Sequence, residues 1–223
     1  MPIPRTPPLP PTRQRRKQAR PQELLDAALQ LFVERGFAST RMEEVAALAG
    51  ASKGTLYLYY ASKEDLLKAV IRERLSHEIE AGAAIVAAHA GTNADLLREL
   101  FVHWWLRVYD SPTSGVFKLI ITEVRSFPEI SEYYRSEVVE PGKLLIGRVL
   151  ERGIAAGEFR AVDVPTAVQS LVLPMVMLCV HKHSLGACLK VDDAFDPHAF
   201  VRGHVELLLL ALTAPAAKRK IPA

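Results

Sequence analysis

A long stretch without proline is the feature that most restricts the fold of this chain. Between Gln22 and Ser111 there is no proline, and alanine, leucine, glutamate and arginine dominate. These residues favour helix, and no run of alternating β-branched residues predicts a strand. The chain is therefore expected to be all-α.

The N-terminal segment has a different composition. Residues 1–21 hold seven of the fifteen prolines, and residues 1–20 carry six bases and no acid, although the net charge of the chain is only +3. Such a segment buries little apolar surface, so residues 1–19 are predicted to be a disordered, basic, proline-rich tail. Two interpretations stay open, an arm that contacts nucleic acid and a solvated tail. The bases nearest the first helix are Arg13, Arg15, Arg16, Lys17 and Arg20.

Several classes of protein are disfavoured by what the sequence lacks. Two cysteines, Cys179 and Cys188, cannot make a disulfide scaffold, and no secretion signal is evident. The longest nearly apolar run, residues 170–180, is short for a bilayer and contains Pro174. A cytoplasmic protein without membrane contact is expected.

The sequence does not favour an enzyme or a metal-binding protein. No phosphate-cradling glycine loop, H-E-x-x-H or G-x-S-x-G motif occurs, so catalysis is not predicted. Cys179, His181, His183 and Cys188 match no zinc spacing, so no metal or cofactor is predicted. A metal or thiol sensor stays a weak alternative, which requires the two cysteines to converge.

Local start and stop signals divide the region after the tail into four helices. In chain order these signals are Pro21, Gly36, Thr40 with Glu43, Gly50, Ser52, and Ser62 with Asp65. Proline suits a first helical position, glycine a last, and Thr40 with Glu43 has the spacing of a capping box. The second and third helices, joined by a tight glycine-containing turn, predict a helix-turn-helix.

The third helix has an unusual outer face. Leu56 and Tyr60 point inward, whereas the outer face carries the hydrogen-bond donors Lys53, Thr55, Tyr57 and Tyr59. Gly54 lets another backbone approach, and phosphates and base edges accept hydrogen bonds. The pattern favours a helix that enters the major groove, and the alternative is a packed helical turn with exposed tyrosines.

Residues Glu23–Leu67 resemble the DNA-binding domain of the TetR/AcrR family of transcriptional regulators. The resemblance rests on the helix with its Gly-aromatic stop, the second helix that follows Thr40, and the block SKGTLYLYYASKEDLL, in that order. It implies DNA contacts for Thr40, Arg41, Ser52, Lys53, Gly54, Thr55, Tyr57, Tyr59 and Lys63. Lys63 is implied to bind phosphate at the start of the fourth helix.

The rest of the chain is predicted to form longer helices over residues 93–109, 116–127, 130–157, 164–185 and 197–212. Pro141 should split the third of these, and Pro174 should kink the fourth and free the Ser170 carbonyl. The domains are then a tail over 1–19, a DNA-binding domain over 20–78, a helical ligand-binding and dimerisation domain over 79–213, and a disordered tail over 214–223.

Two uses of the second domain follow from the resemblance. Dimerisation is assigned to the last two long helices through Leu171, Val172, Met175 and Leu178, then Val201, Val205, Leu208 and Leu212, with core packing as the alternative. A pocket between the helices is assigned to Trp104, Trp105, Tyr109, Phe117, Ile121, Phe127, Met175 and His181, again with plain core as the alternative.

These observations predict a homodimeric repressor of transcription. It would bind a near-palindromic double-stranded operator and be released by a small apolar or aromatic inducer. The alternative is a structural DNA-binding protein of the same fold without an inducer. An open pocket in the second domain distinguishes the two.

Overall fold

The computed structural model describes residues 13–123, 126–188 and 195–213, with side chains described from residue 21. In this part of the chain the regular elements are helices, and one isolated antiparallel bridge joins Phe159 to Thr213. The helices are α1 (Arg13–Arg35), α2 (Met42–Leu48), α3 (Lys53–Tyr59), α4 (Lys63–Ile71), α5 (His77–Ala88), α6 (Asn93–Asp95), α7 (Val102–Asp110), α8 (Ser114–Glu123), α9 (Pro128–Tyr134), α10 (Glu140–Ala155), α11 (Val164–Lys182), α12 (Leu185–Cys188) and α13 (Pro197–Leu212). The expected all-α class is confirmed.

Helices α1–α4 form a small unit, called the head below. Four of its predicted stop and start signals are confirmed: Gly36 and Gly50 have φ of 88° and 63°, and the hydroxyls of Ser52 and Ser62 accept the Thr55 and Asp65 N–H groups. Positive φ favours glycine because other residues place a Cβ against the carbonyl there. The side chains of Phe32, Phe37, Leu56 and Leu66 are fully buried between these helices.

Two predictions about the head are wrong. Helix α1 begins at Arg13, so residues 13–19 are helical and Pro21 lies inside the helix. The Arg, Gln, Lys and Ala residues before Pro21 have high helix propensity, which opposes the lost hydrogen bond and the steric clash that an internal proline causes. The N-cap of α2 is Arg41, whose N–H donates to Glu44 Oε2 at 2.9 Å, one position later than the predicted pair of Thr40 and Glu43.

The remaining helices form a larger unit, called the body. Three short π-helical segments interrupt its helical runs: π1 (Arg72–Ser76), π2 (Leu96–Phe101) and π3 (Arg135–Val139). The predicted split near Pro141 takes the form of π3, after which α10 starts with Pro141 in its first turn. A π segment changes the hydrogen-bond register without a break, which accommodates a residue that has no N–H.

Proline 174 lies within α11, and the helix continues on both sides of it. The predicted release of the Ser170 carbonyl is confirmed, because His204 Nε2 of α13 lies 2.9 Å from Ser170 O. This side-chain donor replaces the N–H that proline lacks and joins α11 to α13. The kink angle stays a prediction.

Head and body are joined by a continuous helical run and by close packing. Helix α4 passes through π1 into α5, so the predicted domain boundary near residue 78 falls inside a helical segment. A Cβ on Gly115 of α8 would lie 2.5 Å from Val33 Cγ2 of α1, so only glycine permits this approach. The rings of Phe37 and Phe127 meet edge to face at 4.7 Å across the same junction.

A buried polar cluster fixes the opposite end of the body. Asn93 is 4% exposed, and its N–H and side-chain amide donate to the Glu158 carboxylate at 2.7 and 2.9 Å. Arg152 Nε donates to Asn93 Oδ1 at 2.6 Å and its Nη1 to Val86 O at 3.3 Å. Each buried polar group in this cluster has a partner, which holds the ends of α5, α6 and α10 together.

Candidate nucleic-acid interface and apolar cavity

Most of the predicted DNA-contact residues are exposed on or beside helix α3. Leu56 is fully buried and sets the inner face of the helix. Of the residues assigned to DNA, those exposed are Arg41, Ser52, Lys53, Gly54, Tyr57 and Tyr59, and Thr55 is half-buried. The hydroxyls of Ser52 and Thr55 lie 2.8 Å apart within the N-cap. DNA contact by these residues stays a prediction.

Lys53 is held by a partner that sequence reasoning missed. Its Nζ lies 2.5 Å from Glu43 Oε1 of α2 and 5.7 Å from the centroid of the Tyr57 ring. The hydrogen bond between Lys53 and Glu43 is the main cause that lowers the pKa of Glu43 and raises the pKa of Lys53, and Coulomb attraction between the two adds to it. Both groups are therefore charged at neutral pH, and a carboxylate lies on the proposed DNA-facing surface.

Two residues assigned to DNA are engaged inside the head. Thr40 is 1% exposed and its hydroxyl donates to Gly36 O at 2.8 Å, so it cannot reach a duplex in this conformation. Lys63 Nζ donates to Phe37 O, Ala38 O and Thr40 O at 2.7, 3.0 and 3.0 Å. An ammonium group has three N–H bonds, and all three are used here. The structure thus gives Lys63 a role in closing the turn between α1 and α2.

Leu58 is a further exposed residue of α3 that sequence reasoning left out. Its side chain is 81% exposed, more than any other large hydrophobic in the part of the chain that the structure describes. The sequence signal for its exposure is the spacing, since Leu58 lies two positions after the inward Leu56, although leucine is not a hydrogen-bond donor.

The body contains an apolar cavity of about 290 Å³. Helices α5, α7, α8, α10 and α11 and the segments π2 and π3 contribute to its wall. The apolar lining includes Ile79, Val86, Leu97, Leu100, Phe101, Trp104, Trp105, Phe117, Ile120, Val138, Ile146, Val149, Val172 and Val176. Such a wall favours an apolar ligand.

Few polar side chains reach this cavity. Glu78 accepts a hydrogen bond from Arg107, and Lys143 Nζ lies 3.8 Å from Glu140 Oε1, so these charges have partners. The hydroxyl-bearing residue of the wall is Tyr134, and burial raises its pKa, so its hydroxyl stays protonated. Sequence reasoning missed Tyr134, because nothing in the residues around it distinguishes it from Tyr133.

The cavity contains half of the residues predicted for it. Trp104, Trp105, Phe117 and Ile121 are in its wall, whereas Tyr109, Phe127, Met175 and His181 are not. Those four lie elsewhere for separate reasons. The Tyr109 ring lies under Lys182 Nζ at 4.5 Å, Phe127 packs on Phe37, and Met175 is 1% exposed in the core. The ring and carbonyl of His181 lie against Gly186 at the end of α11.

The residues predicted to form a dimer face belong mainly to the core of the protomer. Leu171, Met175, Leu178, Val201, Val205 and Leu212 are all buried. The exposed apolar side chains of α11 and α13 are instead Leu173, Met177, Leu207 and Leu210, at 58%, 61%, 68% and 74%. Helical periodicity places both sets on stripes, and only packing shows which stripe is inside.

Residues Val164–Ala187 are long and apolar enough to cross a membrane, judged by length and composition only. A core helix of a soluble protein can pass the same test.

The cysteine and histidine residues near the end of α11 do not form a metal site in the described part of the chain. Among residues 13–123, 126–188 and 195–213 no group of three or more His, Cys, Asp or Glu side chains converges. Burial raises the pKa of the Cys179 thiol to about 12, which makes it unreactive. The Cys188 side chain lies outside the described residues, so its convergence with Cys179 stays untested.

Comparison with known proteins agrees with this architecture. Residues 24–70 match the model of bacterial regulatory proteins of the tetR family, and residues 90–187 match the tetracyclin repressor-like C-terminal domain. The HTH-type transcriptional repressor KstR2 of Rhodococcus jostii (strain RHA1) is 33% identical over 157 residues, 70% of this chain and 76% of that protein. The fatty acid metabolism regulator protein of Bacillus subtilis (strain 168) is 27% identical over 158 residues, 70% and 80% of the two chains.

Among solved structures, the transcriptional regulator FadR from Bacillus subtilis in complex with stearoyl-CoA has the same fold. The TM-score is 0.70 at 22% identity, over 84% of this chain and 97% of that chain. Both halves of the chain are thus matched in sequence, and a 33% identical repressor is covered over 76% of its length. The chain belongs to the TetR family of DNA-binding transcriptional regulators, which are not enzymes.

Proposed function

We propose that this protein is a cytoplasmic, homodimeric repressor whose hold on a near-palindromic operator is released by a small apolar or aromatic effector. The observation that carries the proposal is the apolar cavity, because its wall includes residues of α5, the helix that continues from the head. The proposal does not require a metal, a cofactor or a membrane.

The DNA side of the proposal assigns α3 to the major groove. Arg41, Lys53, Tyr57 and Tyr59 are exposed on or beside this helix and would supply the phosphate and base contacts. In a dimer, two such helices enter successive major grooves about one helical turn apart. A pseudo-palindromic operator is the expected result of that symmetry.

The dimer would be formed through α11 and α13. These helices pack on each other through the contact of His204 with Ser170, and together they leave Met177 and Leu210 exposed. Exposed apolar surface on packed helices favours a protein partner. A second copy is the occupant we propose, because an operator-binding protein with one α3 per chain needs two copies to read two half-sites.

The effector side of the proposal rests on the size and chemistry of the cavity. Its volume of about 290 Å³ suits a small molecule or the apolar part of a larger one, since ligand pockets usually measure ~300–1,000 Å³. The relative solved with stearoyl-CoA supports an acyl group as one class of ligand. The Tyr134 hydroxyl would orient a polar group of the ligand, and the edge-to-face and tilted rings of Trp104, Trp105 and Phe117 in the wall favour an aromatic ligand equally.

Coupling between cavity and DNA would use the run from α4 through π1 to α5. Ile79, Gly82 and Val86 of α5 line the cavity, and α4 packs in the head against α1. An effector that wedges α5 outward would tilt the head and change the distance between the two α3 helices. The effector must bind the DNA-incompetent arrangement more tightly than the DNA-competent one. The ratio of these two effector affinities sets the largest factor by which the effector can lower operator affinity.

The rival function, a structural DNA-binding protein without an effector, requires a packed body. The cavity supports the effector-responsive alternative, since an open apolar space costs stability unless a ligand uses it.

The experiment that tests the proposal has two readouts. Trp104 and Trp105 are the two tryptophans of the chain and both line the cavity, so tryptophan emission reports occupancy directly. An operator is first selected from random DNA, and then stearoyl-CoA, decanoate and 2-naphthoate are titrated against protein and protein–operator complex. We expect at least one class to change the emission and to lower operator affinity by about 10-fold or more.

A matched pair of variants separates the cavity from general stability. Val172 and Val180 are both half-buried valines of α11, but Val172 lines the cavity and Val180 does not. Val172→Phe should weaken effector binding and leave operator affinity unchanged, whereas Val180→Phe should leave both intact. If none of these ligands releases the operator and none changes the tryptophan emission, the result would favour the rival function.

A further inference from the structure

Leu58 occupies the centre of the outer face of α3. A helix turns by about 100° per residue, so Leu58 lies about 200° around the axis from the fully buried Leu56. Gly54 is four residues earlier and therefore lies on the same face as Leu58. A side chain placed there points directly away from the head.

The surface around Leu58 allows close approach of another molecule. A Cβ built on Gly54 would meet only Ser52 Oγ, at 3.9 Å, so the backbone beside Leu58 is open. The neighbouring columns of the helix carry Lys53 with Tyr57 on one side and Tyr59 on the other, and both tyrosines are about 40% exposed. Leu58, at 81%, projects furthest into solvent.

The chemistry of this side chain restricts what it can read. Leucine neither donates nor accepts a hydrogen bond, so it contributes nothing to the donor and acceptor edges of the bases. The single apolar group on the major-groove edges of the four bases is the C5-methyl of thymine. We propose that Leu58 reads thymine, by packing its isobutyl group on one thymine methyl in each operator half-site.

This inference rests on the proposed function, because it assumes that α3 enters the major groove. It goes further in naming a base. The polar residues beside Leu58 would set the register of the helix, and Leu58 would discriminate thymine from cytosine at one position. Leu58 could instead contact the deoxyribose sugars at the edge of the groove or a protein partner, and each of these contacts makes a different prediction.

The experiment replaces thymine by deoxyuridine at each position of the selected operator. This replacement removes only the methyl group and preserves base pairing and the O4 acceptor. Burial of one methyl corresponds to about fourfold to tenfold in affinity. We therefore expect one thymine per half-site at which the replacement weakens wild-type binding by about that factor.

The cycle with Leu58→Ala isolates the contact. At that thymine the deoxyuridine effect should shrink to less than about twofold in Leu58→Ala, because the methyl has lost its partner. Leu48→Ala is the matched control, since Leu48 is a 48% exposed leucine of α2 and should retain the full effect.

Three results would overturn the inference: a half-site with no thymine, no sensitive position, or equal sensitivity in wild type and Leu58→Ala. Each leaves the proposed function standing, because wild type still binds its operator. Failure of the wild-type protein to enrich any DNA sequence would instead contradict the proposed function itself.

Discussion

Lys53 Nζ of α3 and Glu43 Oε1 of α2 lie 2.5 Å apart, so the lysine that we propose to contact DNA is paired with a carboxylate of the preceding helix. The pair couples the orientation of Lys53 to α2. It also places a negative charge where phosphates are expected, and the two effects oppose each other in DNA binding.

We expect Glu43→Gln to raise affinity for non-operator DNA by about twofold to fivefold at low salt, because the change removes a negative charge beside Lys53 and leaves the lysine free to meet a phosphate. Discrimination between operator and non-operator DNA should fall, since Lys53 is no longer oriented. Fluorescence anisotropy with both DNAs measures this. Glu99→Gln makes the same charge change in the body, and an equal effect there would show that only net charge matters.

Lys63 should behave differently from Lys53. Lys63→Met leaves the carbonyls of Phe37, Ala38 and Thr40 without their donor, and hydrogen bonds to a charged group contribute ~1.5–3 kcal/mol. We expect a decrease of about 2–4 kcal/mol in the free energy of unfolding. Lys53→Met should leave the free energy of unfolding nearly unchanged and abolish operator binding. Urea unfolding measures the stability of both variants. Unchanged stability with lost DNA affinity in Lys63→Met would restore the phosphate role for Lys63.

The proposed dimer face predicts a change in oligomeric state. Met177→Glu combined with Leu210→Glu places two charges on surfaces that are 61% and 74% exposed in the protomer. We expect a dimeric wild-type protein and a monomeric double variant by sedimentation velocity, because burying unpaired charge at an interface is costly. Leu144→Glu, on a 59% exposed leucine of α10, is the control and should stay dimeric. A dimer that persists in the double variant would place the interface elsewhere.

His183 predicts a pH dependence of stability. Its pKa lies below the ordinary 6.5, first because of burial and then because of Lys182 and Lys118, and it lies 2.8 Å from Ser114 Oγ. Below pH 6.5 the unfolded chain therefore binds a proton that the folded protein resists, so stability falls as pH decreases through this range. Thermal unfolding should show a smaller loss of Tm between pH 7.5 and 5 in His183→Gln than in wild type. The control His89→Gln should keep the wild-type loss.

The basic start of α1 predicts a salt dependence of DNA binding. Arg15, Arg16 and Lys17 lie in its first turns, and each phosphate contact contributes about 0.9 to the slope of log affinity against log salt. Replacing all three by glutamine should lower the slope by about 3 per subunit and leave the operator preference unchanged. Replacing Arg148 and Arg202 of the body by glutamine is the control. Equal slopes for wild type and the triple variant would identify a solvated segment.

The sequence by itself determined the helical class, the helix-turn-helix and most of its boundaries. The caps at Ser52 and Ser62 and the stops at Gly36 and Gly50 act over four residues or fewer, so local chemistry decides them. For the same reason the outer face of α3 could be assigned from the position of Leu56 alone.

Only the tertiary structure decided which partner each exposed or buried group takes. Lys63 donates to carbonyls that are 23 to 26 residues away in sequence, and Asn93 donates to Glu158, which is 65 residues away. Contacts over such separations cannot be predicted from the neighbouring residues. Cavity wall, proposed dimer face and core share one periodicity on α11, so Val172, Met175 and Met177 differ only through what packs against them. Periodicity specifies that a helix has an apolar side, and the packing of the other helices determines what that side faces.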